Sequence, residues 1–193
     1  MSSFLTRHEL EKIGFNSIGR DVYISKYARF YNPSNIKIGN NVRIDDFCIL
    51  SAGIGGIEIG NYVHIGIFSS IQGDGKVTIQ DFSGISSRVS IYSSNDDYLG
   101  FFLTNPTVPK EFRGVVSKDV IIEKHVIIGS GSIILPGVRI KLGAAVGALS
   151  VVNSDCEDFY IYKGNPATKF LKRSRNFINL ESEFLKKNMN SNE

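Results

Sequence analysis

The sequence predicts an all-β solenoid, a three-sided prism of about six stacked coils with a short N-terminal helix and a C-terminal capping helix. Three observations predict it. Apolar residues recur at six-residue steps over most of the chain, every break in that step falls after a third hexad, and the fourth position after each key residue is usually small or β-branched. A six-residue period fits neither a helix nor a continuous strand, whereas a short strand and a turn, repeated, bury a continuous apolar ladder. An ordinary β-sandwich would instead show strict alternation and irregular turns.

The key positions run Ile18, Ile24, Phe30; Ile38, Ile44, Leu50; Ile59, Ile65, Ile71; Ile79, Ile85, Ile91; and then, unbroken, Ile122, Ile128, Ile134, Ile140, Val146 and Val152. All eighteen are apolar and fourteen are isoleucine. The gaps between groups are eight, nine, eight and 31 residues, so three hexads make one coil and all excursions leave at one corner. Val22, Ala28, Val42, Cys48, Val63, Ser69, Ser83 and Val89 fill the small inward slots. Each inward isoleucine contributes about 1.5–3 kcal/mol of transfer free energy.

Before the repeat, residues 1–17 hold a capping-box spacing, Thr6-Arg7-His8-Glu9, that opens a short helix closed by Gly14. The repeat occupies 18–157, with an extruded loop over 92–119. Residues 158–193 carry Phe170, Leu171, Phe177, Ile178, Leu180, Phe184 and Leu185, which predict a helix laid across the open end of the prism, followed by a frayed tail from Asn188 to Glu193.

Composition bounds the rest. A chain of 193 residues, 42% hydrophobic and 21% charged, suits one domain with short appendages. Lys plus Arg total 22 against 19 Asp plus Glu, and only Lys172, Arg173 and Arg175 form a weak basic cluster, so no nucleic-acid partner is expected. No apolar run approaches the ~18 residues of a membrane span. Met1 to Leu10 includes Arg7, His8 and Glu9 where a signal peptide is apolar, which gives a cytoplasmic expectation. Cys48 and Cys156 form no CxxC or Cys/His cluster, so neither a disulfide framework nor a metal is expected.

With Ile128-Gly129-Ser130-Gly131-Ser132, Leu135-Pro136-Gly137-Val138, Gly143-Ala144-Ala145-Val146-Gly147-Ala148 and Gly164-Asn165-Pro166-Ala167 closing the repeat, the chain resembles the hexapeptide-repeat, left-handed parallel β-helix acyltransferases from residue 18 to about 170. The resemblance implies the left hand, since parallel crossovers are otherwise right-handed. It also implies a homotrimer with active sites between prisms and acetyl-CoA, or another acyl-CoA, as co-substrate without a metal. Ser93-Ser94-Asn95-Asp96-Asp97-Tyr98 and Asn105-Pro106-Thr107-Val108-Pro109 are similar to segments of the enzymes that acylate nucleotide-linked 4-amino-4,6-dideoxy sugars in the anthrose and viosamine pathways, which implies surface-glycan assembly.

In much of that family a histidine near the extruded loop is the general base. Here no histidine lies between His64 and His125, and the loop offers Asp96 and Asp97 instead, beside Ser86, Ser87 and Arg88 on the preceding coil. A hydroxyl acceptor needs a strong base near neutrality, whereas an amine that sheds one proton is already nucleophilic, so a carboxylate suffices. The exchange therefore favours N-acylation of a dTDP- or UDP-linked amino sugar. Asp96, Asp97 and His64 are the candidate proton acceptors, with Ser86, Ser87, Arg88 and Tyr98 as substrate-binding candidates. Gly147, Ala148, Lys163, Pro166 and Lys169 are the candidates for CoA, with Arg173 a further cation for its 3′-phosphate. A sugar O-acetyltransferase using His64 or His125 is the alternative, and a zinc-dependent β-helix is disfavoured because His8, His64 and His125 supply no close pair. The fold alone also leaves room for a non-catalytic scaffold.

Overall fold

The computed structural model describes residues 3–190, with side chains described through Lys187. The chain visits three parallel sheets in strict rotation. The first stacks Ser17–Ile18, Ile36–Ile38, Ile57–Ile59, Val77–Ile79, Val120–Ile122 and Arg139–Ile140. The second stacks Tyr23–Ile24, Arg43–Ile44, His64–Ile65, Gly84–Ile85, Ile127–Ile128 and Ala145–Val146, then adds Tyr160–Lys163 and an antiparallel edge strand, Thr168–Lys172. The third stacks Arg29–Tyr31, Ile49–Ala52, Ser70–Gly73, Ser90–Tyr92, Ile133–Ile134 and Val151–Val152. Six complete coils result, with a partial seventh formed by Tyr160–Lys163 on the second sheet and a single parallel bridge from Cys156 to Ile140 on the first.

Register puts key residue on key residue: Ile59 pairs with Ile79 and Ile79 with Ile122, while Ile65 pairs with Ile85 and Ile85 with Ile128. Sixteen of the eighteen key side chains are buried. Ile18 and Phe30, in the first coil, are half-buried because no coil lies beneath them. Three of the inward serines are satisfied by carbonyls of the next coil: Ser69, Ser83 and Ser132 donate to Ser86, Glu123 and Gly147 at 2.9, 3.0 and 2.9 Å. A buried hydroxyl without such a partner would cost about 1–3 kcal/mol.

The first end is closed by helix α1, Arg7–Ile13, whose capping box is formed as its sequence requires: Thr6 N–H donates to Glu9 Oε2 at 2.7 Å, and Thr6 Oγ1 accepts from Glu9 N–H at 3.3 Å. Gly14 ends it at φ 84°. Leu10 from α1 is buried against the first coil.

The C-terminal helix α2, Asn176–Asn190, is present but does not lie across the open end. It runs along the corner between the first and second sheets, from Phe177 beside Phe159 to Phe184 beside Tyr62. Two features explain the difference. The hairpin of Tyr160–Lys163 and Thr168–Lys172 already extends the end of the second sheet. The corner also offers a column of rings, Tyr62 over Phe82 at 4.8 Å and Phe82 over His125 at 5.2 Å, on which Phe177 and Phe184 pack. The expectation for the tail falls largely outside the described residues; only the backbone of 188–190 is described, and it is helical.

All excursions leave at the corner between the third and first sheets. The largest, 92–119, is ordered by a two-residue antiparallel pairing of Ser94–Asn95 with Val116–Ser117 and by a 3-10 turn, Lys110–Phe112.

Candidate active site

At the corner between the second and third sheets lies a groove of about 360 Å³, lined by Asp45, His64, Gly84, Ser86, Ser87 and Ile127 among others. Coil-on-coil register builds it. His64 stacks under Gly84 and Gly84 under Ile127, while Ser86 and Ser87 follow Ile85 as the chain turns the corner.

His64 Nε2 lies 2.7 Å from Asp45 Oδ2, and Arg43 Nε donates to Asp45 Oδ1 at 2.7 Å. A carboxylate only accepts, so Nε2 of His64 is the donor of this pair. The Asp45 side chain is 19% exposed. Burial alone would raise its pKa, but the bonds from His64 and Arg43 outweigh this and hold it below the ordinary aspartate value. Asp45 and Arg43 were not apparent from local sequence. Their signal is the offset of about one coil that separates them from His64, a spacing that gains meaning once the register is fixed.

The same corner continues upward as a column. Above Ser86 and Ser87 stand Gly129 and Ser130, then Gly147 and Ala148, then Lys163 and Gly164. Ser87 Oγ donates to Ser130 Oγ at 3.1 Å. The Gly147 N–H is taken by Tyr162 O at 2.7 Å. The N–H groups of Ser87, Ser130 and Ala148 donate to no group of the described residues, which leaves one unpaired amide per coil along this corner. A row of such donors suits an extended amide-containing ligand.

The cations at the upper end are placed unequally. Lys163 Nζ sits 3.4 Å over the Phe170 ring, and Lys169 is paired with Glu157 at 2.5 Å. Arg173, expected as a third phosphate cation, is turned inward and donates to the carbonyls of His125, Gly143 and Ala144 at 2.8, 3.0 and 3.3 Å. Pro166 follows a cis peptide bond in the hairpin beside Lys163. Arg88, beside Ser87, lies over the Phe68 ring at 5.3 Å.

The loop carboxylates differ from each other. Asp97 accepts from Leu99 N–H at 2.9 Å and Phe102 N–H at 2.8 Å, which lowers its pKa and makes it the organiser of the loop. Among the described residues, Asp96 accepts only from Asn105 N–H, at 3.3 Å through Oδ2, with Oδ1 engaged by none of them. Tyr98 is 88% exposed at the loop tip. No residue of 92–119 lines the groove, because loop and groove occupy different corners of the prism.

His125 is remote from this groove. Its side chain is 9% exposed, stacked on Phe82 and tilted at 45° against Phe177, and its Nε2 meets Glu181 Oε2 at 2.7 Å. Cys48 and Cys156 are buried, and burial pushes their thiols up to about 11 and about 12, which removes them as nucleophiles. Among the described residues, no group of three or more His, Cys, Asp or Glu could hold a metal ion, and no helix is long and apolar enough to cross a membrane.

A triangular solenoid with a corner row of unpaired amides leading down to polar side chains defines a hexapeptide-repeat acyltransferase. No protein-family model matches the chain, but individual proteins do. It is 55% identical over 182 residues to a dTDP-4-amino-4,6-dideoxy-D-glucose acyltransferase of Escherichia coli, covering 94% of this chain and 95% of that one. The structure of AntD, an N-acyltransferase from Bacillus cereus in complex with dTDP and 3-hydroxybutyryl-CoA, superposes with a TM-score of 0.93 at 49% identity, over 98% of this chain and 100% of that one. An AntD variant in complex with dTDP-4-amino-4,6-dideoxyglucose and coenzyme A superposes with a TM-score of 0.91 at 49% identity, over 97% and 99% of the two chains. The chain belongs to the family of dTDP-4-amino-4,6-dideoxyglucose acyltransferases.

Proposed function

We propose that the chain transfers an acyl group, acetyl in the simplest case, from CoA to the 4-amino group of a dTDP-linked 4-amino-4,6-dideoxy sugar for surface-glycan assembly. The observation that carries this reading is the near-full-length identity to an enzyme of that name. Two further observations bear on N- against O-acylation: His125, one of the two bases of the alternative, is committed to Glu181, and the loop presents Asp96 with an oxygen that no described residue engages.

CoA descends the corner column in this reading. Lys163, Lys169 and Pro166 stand at the phosphate end, the amides of Ala148 and Ser130 receive the pantetheine carbonyls, and the thioester stops at Ser87. The Gly147 N–H, already bonded to Tyr162, contributes only its lack of a side chain. The neutral amine attacks the thioester carbon, forming C–N and then breaking C–S; the amine's surplus proton ends on the departing sulfur. The Ser87 N–H is placed to donate to the oxyanion, an interaction worth about 2.7–4 kcal/mol where such a donor has been removed. Asp96 orients the amine and takes this proton on its way to the sulfur, with His64 Nδ1 as the other acceptor in reach of the groove. Asp97 holds the loop. Ser86, Arg88 and Tyr98 contact the sugar nucleotide. The solved AntD variants include an aspartate and a serine that lie ten positions apart, the separation of Ser86 from Asp96 and equally of Ser87 from Asp97.

Because loop and groove sit on different corners, the loop of a neighbouring copy has to close each groove, which supports a homotrimer with three shared sites. CoA thioesters and sugar nucleotides are cytoplasmic metabolites, which supports a cytoplasmic location.

Thiol release from acetyl-CoA with dTDP-4-amino-4,6-dideoxyglucose tests the reading. Turnover on the amino sugar is expected, with a fall in kcat of about 10²–10⁴ in the variant, D96N or H64N, that removes the proton acceptor. Brisk turnover on a hydroxyl acceptor with none on any amino sugar would overturn it.

A further inference from the structure

The ring column beneath α2 is interrupted at one coil. At the corner between the first and second sheets, Tyr62, Phe82, His125, Gly143 and Phe159 occupy the same turn position on successive coils, all with φ of 56–62°. Backbone bonds fix the register: His125 N–H donates to Asp81 O, Gly143 N–H to Lys124 O and Phe159 N–H to Leu142 O, at 3.1, 2.9 and 3.0 Å. Four of these positions carry rings and Gly143 carries none. Phe177 of α2 enters the gap, 4.9 Å from the His125 ring and 6.2 Å from that of Phe159, and a Cβ on Gly143 would come within 2.7 Å of Phe177 Cζ. The neighbouring positions hold side chains at the same φ, so this glycine serves the incoming ring more than the turn.

Arg173, just ahead of α2, anchors the chain in the same place. Its N–H donates to Phe159 O at 2.8 Å, its guanidinium bonds the carbonyls of His125, Gly143 and Ala144, and its Cζ lies 4.7 Å over the Phe177 ring. Among the described residues no carboxylate pairs with it. A half-buried cation held by carbonyls alone is costly, and what it secures is the end of the strand Thr168–Lys172. All five residues of that strand are exposed, and it pairs only with Tyr160–Lys163. Such a hairpin has little packing of its own and depends on its ends. At the tip, Gly164 N–H donates to Ser150 Oγ at 3.0 Å and Ala167 N–H to Val151 O at 2.8 Å. At the base stands Arg173. The strand between them carries Phe170, whose ring holds the Lys163 ammonium at 3.4 Å.

We propose that α2 and Arg173 form a strap that positions Lys163 for the 3′-phosphate of CoA, with Arg173 the positioning residue and Gly143 the socket that admits Phe177. The inference rests on the CoA path proposed above, which puts Lys163 at the phosphate end. Contacts run from Phe177 through Arg173 and the exposed strand to Phe170 and Lys163, from one corner of the prism to the next. The C-terminal helix thereby governs co-substrate affinity although none of its residues lines the groove.

Calorimetric dissociation constants for CoA and for 3′-dephospho-CoA test it. The wild type should prefer CoA. In Arg173→Met that preference should fall about tenfold, the scale of a lost charge-assisted hydrogen bond, while 3′-dephospho-CoA binds as before. Arg173→Lys, which keeps the charge, should recover part of the loss. Gly143→Ala, which displaces Phe177 and leaves Arg173 in place, should lower the preference by less, and Arg173→Met keeps the test available if the stacked coil does not accept the alanine. Lys163→Met, at an exposed position, should abolish the preference, and adding Arg173→Met to it should change nothing more. A lower denaturant midpoint in Arg173→Met with an unchanged preference would make Arg173 a staple of the fold alone and overturn the strap. So would a wild type that binds both ligands equally, or an effect of Arg173→Met that persists without Lys163. A wild type that binds neither ligand defeats the CoA path itself, and the strap with it.

Discussion

A single inward side chain carries a large share of the stability of its own rung, because each coil touches only the coils above and below. Ile128 is fully buried between Ile85 and Val146. Ile128→Asn should therefore destabilise the protein by several kcal/mol, combining lost burial with an unsatisfied amide, measured as the denaturant midpoint against the wild type. The inward residues were legible in the sequence because the repeat writes them at fixed spacing: Ile85, Ile91 and Ile122 are recognisable although 31 residues interrupt the last step. The Asp45–His64 contact was not legible, since it joins residues on adjacent coils and depends on which side of the turn each faces. Nor was the burial of the Arg173 guanidinium against three carbonyls; in sequence it is one cation in a weakly basic stretch.

The C-terminal helix shows the limit at the next scale. Its apolar residues announced a packing face, but its docking site is a column of rings assembled from Tyr62, Phe82 and His125 on three coils. Those rings occupy turn positions with φ of 56–61°, a conformation uncommon for side-chain-bearing residues, and stacking with α2 accompanies it. Glu181 fixes the helix there, with Oε1 at 2.5 Å from Lys124 Nζ and Oε2 at 2.7 Å from His125 Nε2. Burial raises the Glu181 pKa, yet these two bonds lower it more, and the net is a value below the ordinary one. A depressed carboxylate pKa contributes stability that is fully present above its unfolded value of about 4.3 and is lost as pH falls through the folded value. Glu181→Gln should thus release 176–190 at neutral pH, seen as faster amide exchange in that helix with the prism unchanged, and should flatten the acid loss of protection in the wild type. Unaltered exchange in α2 would show that the rings alone hold it.

Across the whole molecule, the repeat separates two jobs. Three flat sheets supply a rigid column, and the corners carry everything specific: excursions on one, the α2 clasp on the second, the amide row and groove on the third. The solenoid was legible from periodicity alone, as was the corner from which the loop emerges, because gap lengths count coils. Which corner holds the groove was not legible, since it follows from unpaired N–H groups at Ser87, Ser130 and Ala148, and pairing is a property of the stack. The separation of groove from loop leads to the central claim that one chain offers half a site. Complementation between two crippled chains tests it most directly. One carries H64N and S86A in the groove, the other D96N and D97N in the loop, and the two are co-expressed and assayed for thiol release with dTDP-4-amino-4,6-dideoxyglucose. Each homo-oligomer should be nearly inactive, while random mixing should return about a quarter of the wild-type sites. Activity in the mixture no higher than in either parent would contradict a site shared between chains.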